Sequence, residues 1–178
     1  MTEKFRSRTA TKADIAVLTT IMNASISMLQ GDYLKREQVS ASFEVMGLDT
    51  KLIEDKTYFV ILHAKTIVGC GGWSRRATLF GGNHTKDRDD ALLDPKTDAA
   101  RIRAMYTHPD WTRKGIGRRI LNLCENAARR EGFRRFELAA TLSGQPLYLA
   151  AGYEPITFFT ARTSKNIDVP LVRMAKSV

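Results

Sequence analysis

The chain has 178 residues, 43% hydrophobic and 26% charged, which is enough to bury a sizeable core in one domain and excludes a disordered polymer. Its net charge of +9 is spread along the chain, and admits a nucleic acid, an acidic membrane surface or an anionic small molecule without choosing among them. No apolar run reaches membrane-spanning length, Met1 to Arg6 lacks a signal-peptide core, and Cys70 and Cys124 form neither a disulfide framework nor a metal-ligand pattern, so a cytoplasmic protein with both thiols packed as small apolar groups is expected.

Phe5 to Thr9 alternates and predicts a first strand. Thr11 then caps a helix whose apolar face is Ile15, Leu18, Ile21, Met22, Ile26 and Leu29, with Gly31 as its stop. Tyr33 to Met46 and Leu48 to Lys56 predict short helices, either a wall for an acceptor or plain core cover. Thr57 to Ala64 is β-branched and aromatic, and with Ile67 to Ser74 it predicts a hairpin around Lys65-Thr66. Gly69, Gly71 and Gly72 inside a strand point to a bulge or to a ligand near the backbone. Leu79 to Ala99 is a long polar loop. Its aspartates, Asp87, Asp89, Asp90 and Asp94, lack the glycine and terminal glutamate of a calcium loop.

Arg101 to His108 predicts a strand with Arg101, Arg103, Met105 and Thr107 on one face and Ile102, Ala104 and Tyr106 on the other. Pro109 stops it. A turn then leads to a helix with the stripe Ile120, Leu123, Cys124, Ala127 and Ala128 and a stop at Gly132. Phe136 to Ala140 is a further strand, so strand, helix and strand form a right-handed βαβ unit. Pro146 to Ala151 predicts a short helix closed by Gly152. Tyr153 to Thr160 and Val169 to Lys176 predict two final strands paired together, completing an α/β layered domain.

The turn between strand and helix, Trp111-Thr112-Arg113-Lys114-Gly115-Ile116-Gly117-Arg118-Arg119, carries the strongest chemical signal. Gly115 and Gly117 admit close approach to the main chain, and a helix's first turn has unpaired N–H groups and a partial positive charge. Together with Arg113, Lys114, Arg118 and Arg119 they make a cradle for phosphate oxygens. The turn is not a P-loop, since no Gly-Lys-Ser/Thr ends it. It is a poor dinucleotide fingerprint too, with Ile120 at the place of the third glycine.

Three features in order now resemble the GNAT superfamily of acyl-CoA-dependent N-acyltransferases. Met105-Tyr106-Thr107-His108-Pro109-Asp110 resembles the strand end that pairs with pantetheine. Thr112 to Gly117 resembles the Q/R-x-x-G-x-G/A pyrophosphate loop, with Thr112 departing from the usual Gln or Arg. Leu147-Tyr148-Leu149-Ala150-Ala151-Gly152-Tyr153 resembles the Φ-Tyr-x-x-x-Gly-aromatic ending of the late helix. The resemblance implies one domain over 1–178, a central mixed, mostly antiparallel sheet of about six or seven strands flanked by helices, and strands splayed at the cofactor site. It implies acetyl-CoA as cofactor, CoA as product and a small-molecule amine as acceptor. Partners then include neither nucleic acid nor membrane, and a homodimer is common in such families.

By position in these motifs, Met105, Tyr106, Thr107, Arg113, Lys114, Gly115, Ile116, Gly117 and Arg118 would bind the cofactor, and Tyr148 would be the general acid. Many relatives carry a basic glutamate on the central strand, where this chain has Arg101 and Arg103. Glu137 on the next strand is the candidate base, with His108 or a water chain as alternatives. Arg75, Arg76, Arg101 and Arg103 could surround an acceptor carrying a carboxylate or phosphate, or could pair with the Asp-rich loop. Arg129, Arg130, Arg134 and Arg135 could approach the 3′-phosphate. An acyl-CoA-binding sensor without turnover is the alternative function, and a nucleic-acid-binding domain is disfavoured because no helix-turn-helix or aromatic platform is evident.

Overall fold

The computed structural model describes residues 5–178, and the expectation for Met1 to Lys4 lies outside them. Seven strands form one sheet in the order β1-β2-β3-β4-β5-β7-β6. In chain order the elements are β1 (Arg6–Thr9), α1 (Ile15–Leu29), α2 (Arg36–Val45), α3 (Thr50–Glu54), β2 (Tyr58–His63) and β3 (Thr66–Ser74). They continue with β4 (Ala100–Thr107), α4 (Ile116–Arg130), β5 (Arg135–Thr141), α5 (Gln145–Ala150), β6 (Glu154–Arg162) and β7 (Asp168–Ser177). Every pairing is antiparallel except β4 with β5. No helix of the described residues is long and apolar enough to cross a membrane.

Helices cover both faces. On one, α1 seats Leu18, Ile21, Met22 and Ile26 against Tyr58, Val60, Cys70 and Tyr106, while the end of α2 packs Val45 on Val169 and Leu171. On the other, α4 lays Ile116, Ile120, Leu121, Cys124 and Ala128 onto Trp73, Ile102, Phe136, Leu138 and Val172. Full burial of a large apolar side chain stabilises by about 1.5–3 kcal/mol, so this stripe anchors α4 firmly.

Two of the β3 glycines exist for that helix rather than for a ligand. A Cβ on Gly69 would stand 2.5 Å from Ile116 Cγ2, and one on Gly71 would stand 2.7 Å from Ile120 Cγ2. Their absence lets α4 settle close to the sheet. The predicted bulge is present in β3 itself, where Ile61 pairs with Gly69 and Leu62 with Ile67 so that Val68 is the extra residue, and a second one lies on the partner strand β4. Tyr106 pairs with Cys70 and Arg103 with Gly72, so Gly71 alone faces Ala104 and Met105. Ala104 takes φ of 49° to make the extra residue fit.

That bulge corrects the predicted faces of β4. Strict alternation put Ile102, Ala104 and Tyr106 together. Instead Ile102 packs in the core beneath α4, while Tyr106 and Ala104 join the core beneath α1. A second irregularity follows. β4 pairs with β5 only at Ala100–Phe136 and Arg101–Glu137, whereas β5 pairs with β7 along its whole length. Beyond Arg101 the two parallel strands part, and the sheet has an opening at its centre.

Candidate active site

The opening is the mouth of a cleft of about 750 Å³. Its lining comes from both faces of the sheet. The ends of α1 and α2 and the 79–81 segment line one side, and the N-terminus of α4 with α5 lines the other. Of the segment from Tyr33 to Met46, Tyr33, Val45 and Met46 line the cleft.

Of the nine expected cofactor residues, eight line the cleft: Met105, Tyr106, Thr107, Arg113, Gly115, Ile116, Gly117 and Arg118. Lys114 does not; its Nζ lies 4.4 Å from the centroid of the Trp111 ring. Arg119 is the first α4 residue whose amide reaches a backbone carbonyl, that of Gly115 at 3.1 Å. The amides of Ile116, Gly117 and Arg118 therefore have no partner among the described residues. Gly115 caps the helix at φ 77°, and a Cβ there would enter open space. At Gly117 a Cβ would meet Leu147 Cδ2 at 2.8 Å, so that glycine admits α5 against the helix start. Thr112 donates its hydroxyl to the Pro109 carbonyl at 3.1 Å and tightens the turn, which leaves Arg113 and Arg118 as the guanidinium groups at the cradle.

Tyr148, on α5, is buried against Tyr153 and reaches into the cleft. Its hydroxyl donates to Met105 Sδ at 3.6 Å, a weak contact made by the residue just past the bulge. Burial pushes its phenol well above the ordinary tyrosine range, so it stays protonated through neutral and moderately alkaline pH.

Glu137 is brought elsewhere. Its Oε2 accepts from Arg101 Nη1 at 2.5 Å and from Arg173 Nη2 at 2.6 Å, and the residue does not line the cleft. Both ion pairs hold this carboxylate outside the cleft, away from the Tyr148 hydroxyl and the first turn of α4. The expectation of Glu137 as the base is therefore not carried forward. His108 takes no place in the cleft either; its Nδ1 accepts from the Asp110 amide at 3.2 Å and caps the turn Pro109–Trp111.

Of the four arginines, Arg103 alone lines the cleft among the described residues, and each of the four has an acidic partner. Arg75 pairs with Glu131, Arg76 with Asp55, Arg101 with Glu137 and Arg103 with Asp49. Their partners are not the aspartates of the polar loop; only the Asp90 carbonyl touches one of them, Arg76 at 3.2 Å. Arg129 pairs with Glu125 and Arg135 bonds the Thr97 carbonyl, at the end of α4 remote from its first turn.

Sequence reasoning missed the clamp that builds the 79–81 side of the cleft. Asp49 is buried and accepts from both Arg88 at 2.8 Å and Arg103 at 3.0 Å, while Arg103 also donates to the carbonyls of Thr78 and Gly81. This fixes Leu79, Phe80 and Gly81 as a wall of the cleft. Asn83 reinforces it, accepting from the Thr50 amide and hydroxyl. The only local signal was Asp49 as a helix cap, its side chain accepting from the Lys51 amide.

A sheet opened between two parallel strands, with an unpaired helix N-terminus and a protonated phenol at the opening, defines an α/β enzyme that transfers a group from a phosphate-bearing carrier. A family model for the acetyltransferase (GNAT) family matches residues 24–153, and the chain belongs to that family. Among solved structures it is similar to the GCN5-related N-acetyltransferase of Rhodopseudomonas palustris, at 17% identity over 100% of this chain and 98% of that one, TM-score 0.71. It is similar to the PaiA N-acetyltransferase of Thermoplasma acidophilum in complex with coenzyme A, at 14% identity over 98% and 99%, TM-score 0.60. The structure of yncA from Salmonella typhimurium with its cofactor acetyl-CoA matches at 18% identity over 97% and 93%, TM-score 0.63. Among curated proteins none matches this chain.

Proposed function

We propose that the protein moves the acetyl group of acetyl-CoA directly to a primary amine of a small molecule, with Tyr148 protonating the departing thiolate. The observation that carries this reading is convergence: free amides of α4, the parted edge of β4 and the Tyr148 hydroxyl meet in one cleft. These residues fit the cofactor. The cradle at Arg113 to Arg118 suits a pyrophosphate, and the open backbone of Met105, Tyr106 and Thr107 suits the amide-bearing pantetheine arm, which would pair as a strand does.

When bound, acetyl-CoA supplies an activated thioester. The first turn of α4, with Arg113 and Arg118, holds the anionic end. Leu147 packs against Gly117 and fixes α5, which keeps Tyr148 beside Met105. The phenol, held protonated by its burial, gives its proton to sulfur as the C–S bond breaks. Water at the mouth of the cleft takes the proton of the attacking amine.

Thermal unfolding with acetyl-CoA, CoA or ATP tests the reading. At a hundred-fold excess over Kd the stabilisation is about 2.7 kcal/mol, or about 5–10 °C for a domain this size. Acetyl-CoA and CoA should give it and ATP should not. An equal shift with ATP, or none at all, refutes the cofactor assignment.

A further inference from the structure

The side of the cleft formed by the ends of α1 and α2, the 79–81 segment and β7 is mostly apolar, with Ser25 and Gln30 as its neutral polar groups. Ile26, Leu29, Val45, Met46, Phe80 and Leu171 line it. Among the described residues the only cation on this side is Arg103, and it is spent on Asp49 and on two carbonyls. The remaining charge is a carboxylate. Asp32, in the turn between α1 and α2, lines the cleft, is exposed and has no ion-pair partner among the described residues. Beside it Tyr33 is 49% exposed and offers an aromatic ring at the same rim. A carboxylate next to an aromatic ring attracts cations and repels anions.

We propose that the acceptor is an amine on an apolar, uncharged body, admitted by Asp32 and Tyr33 as its ammonium form and selected against any carboxylate or phosphate. This inference rests on the proposed transfer reaction and narrows its substrate class. Apolar walls receive the body of the acceptor. Desolvation in the same walls disfavours the ammonium form once inside, so the amine sheds its proton to water near the rim and attacks as the neutral base. Asp32 acts at the entrance, and a negative group on the acceptor would meet it with no free cation opposite.

The test compares kcat/KM by thiol release from acetyl-CoA for phenethylamine, ethanolamine, phenylalanine and phenylalanine amide. Phenethylamine and phenylalanine amide should each exceed phenylalanine more than ten-fold, and phenethylamine should exceed ethanolamine by a similar factor. Asp32→Lys should cut the gap between phenylalanine and its amide to under three-fold while the shift in Tm with acetyl-CoA is kept, which shows that fold and cofactor site survive. Phenylalanine within three-fold of its amide in the wild type, ethanolamine matching phenethylamine, or an unchanged gap in Asp32→Lys overturns the inference alone. No transfer to any of the four amines, with the acetyl-CoA shift intact, overturns the proposed transfer to a small amine and this inference with it.

Discussion

Tyr148→Phe separates the chemistry of the phenol from its packing. The ring is buried in the core beneath α4 and contacts Tyr153 with ring centroids 5.9 Å apart, and phenylalanine keeps all of that. What is lost is one hydroxyl whose partner is a thioether at 3.6 Å. A thioether is a weak acceptor, so the hydroxyl gains little in the folded state that water did not already offer. The expected change in stability is within about 1 kcal/mol, and Tm should move by no more than about 4 °C. Loss of a general acid costs about 10²- to 10⁴-fold in turnover. Thiol release under saturating acetyl-CoA would read kcat, and a thermal titration would read cofactor affinity, which should stay within about three-fold. A variant with unaltered kcat refutes Tyr148 as the proton donor. A drop in Tm beyond 10 °C would show instead that the hydroxyl holds the fold, and the reasoning from its weak partner would fail.

Asp49→Asn should lower stability by about 3–5 kcal/mol, because it leaves the Arg103 guanidinium, 3% exposed, without its counter-charge; Asp49→Asn with Arg103→Met should lose less than the single variant in urea unfolding. Gly71→Ala brings a Cβ to 2.7 Å from both Ile120 Cγ2 and Met105 Cγ, so it should cost about 1–3 kcal/mol and weaken acetyl-CoA binding through the displaced Met105, read by calorimetry on the two proteins. Burial pushes the Cys70 thiol up to about 12 from its ordinary value of 9.0. A thiol raised in the folded state contributes its full stability below pH 9 and loses it as pH rises toward 12. Tm should accordingly hold level to about pH 8 and fall above 9, and Cys70→Ala should flatten the first part of that fall.

Most elements were legible in the chain because they carry a period. The α4 stripe and the first helix each repeat an apolar pattern with a clear stop, and Gly132 and Gly152 end α4 and α5 at φ of 96° and 87°. The glycine turn was legible for the same reason, since Gly115 sits where only a left-handed residue caps the helix. The faces of β4 were not legible, because a bulge shifts the pattern by one residue and nothing in Ala104 itself marks it. The charged residues were the least legible. Arg103 meets Asp49 across 54 positions and Arg75 meets Glu131 across 56. Ion pairs between distant segments leave no local pattern, so the partners of the four arginines emerge only in the fold. The partner of Glu137 was hidden in the same way, as Arg173 lies 36 positions beyond it.

The irregularities of β3 and β4 also tie the stability of the sheet to the shape of the site. Gly69 and Gly71 let α4 sit so low that Ile116 and Ile120 occupy the space of the missing side chains. That depth sets where the first turn of α4, with its unpaired amides, meets the cleft. The bulge opposite Gly71 redirects Met105 toward α4 and toward the Tyr148 hydroxyl, and β4 leaves β5 two residues into their pairing. A regular strand in this place would bond to β5 throughout and close the cleft. The backbone conformation of Ala104, at φ of 49°, is strained for a residue with a side chain, and it persists because the core beneath α1 holds Tyr106 on one side while the core beneath α4 holds Ile102 on the other. Replacing Ala104 by glycine would relieve that strain and favour the folded backbone, yet leave the opening intact. The cleft is thus a product of packing on both faces, and a substitution that repacks either face should change cofactor affinity before it unfolds the chain.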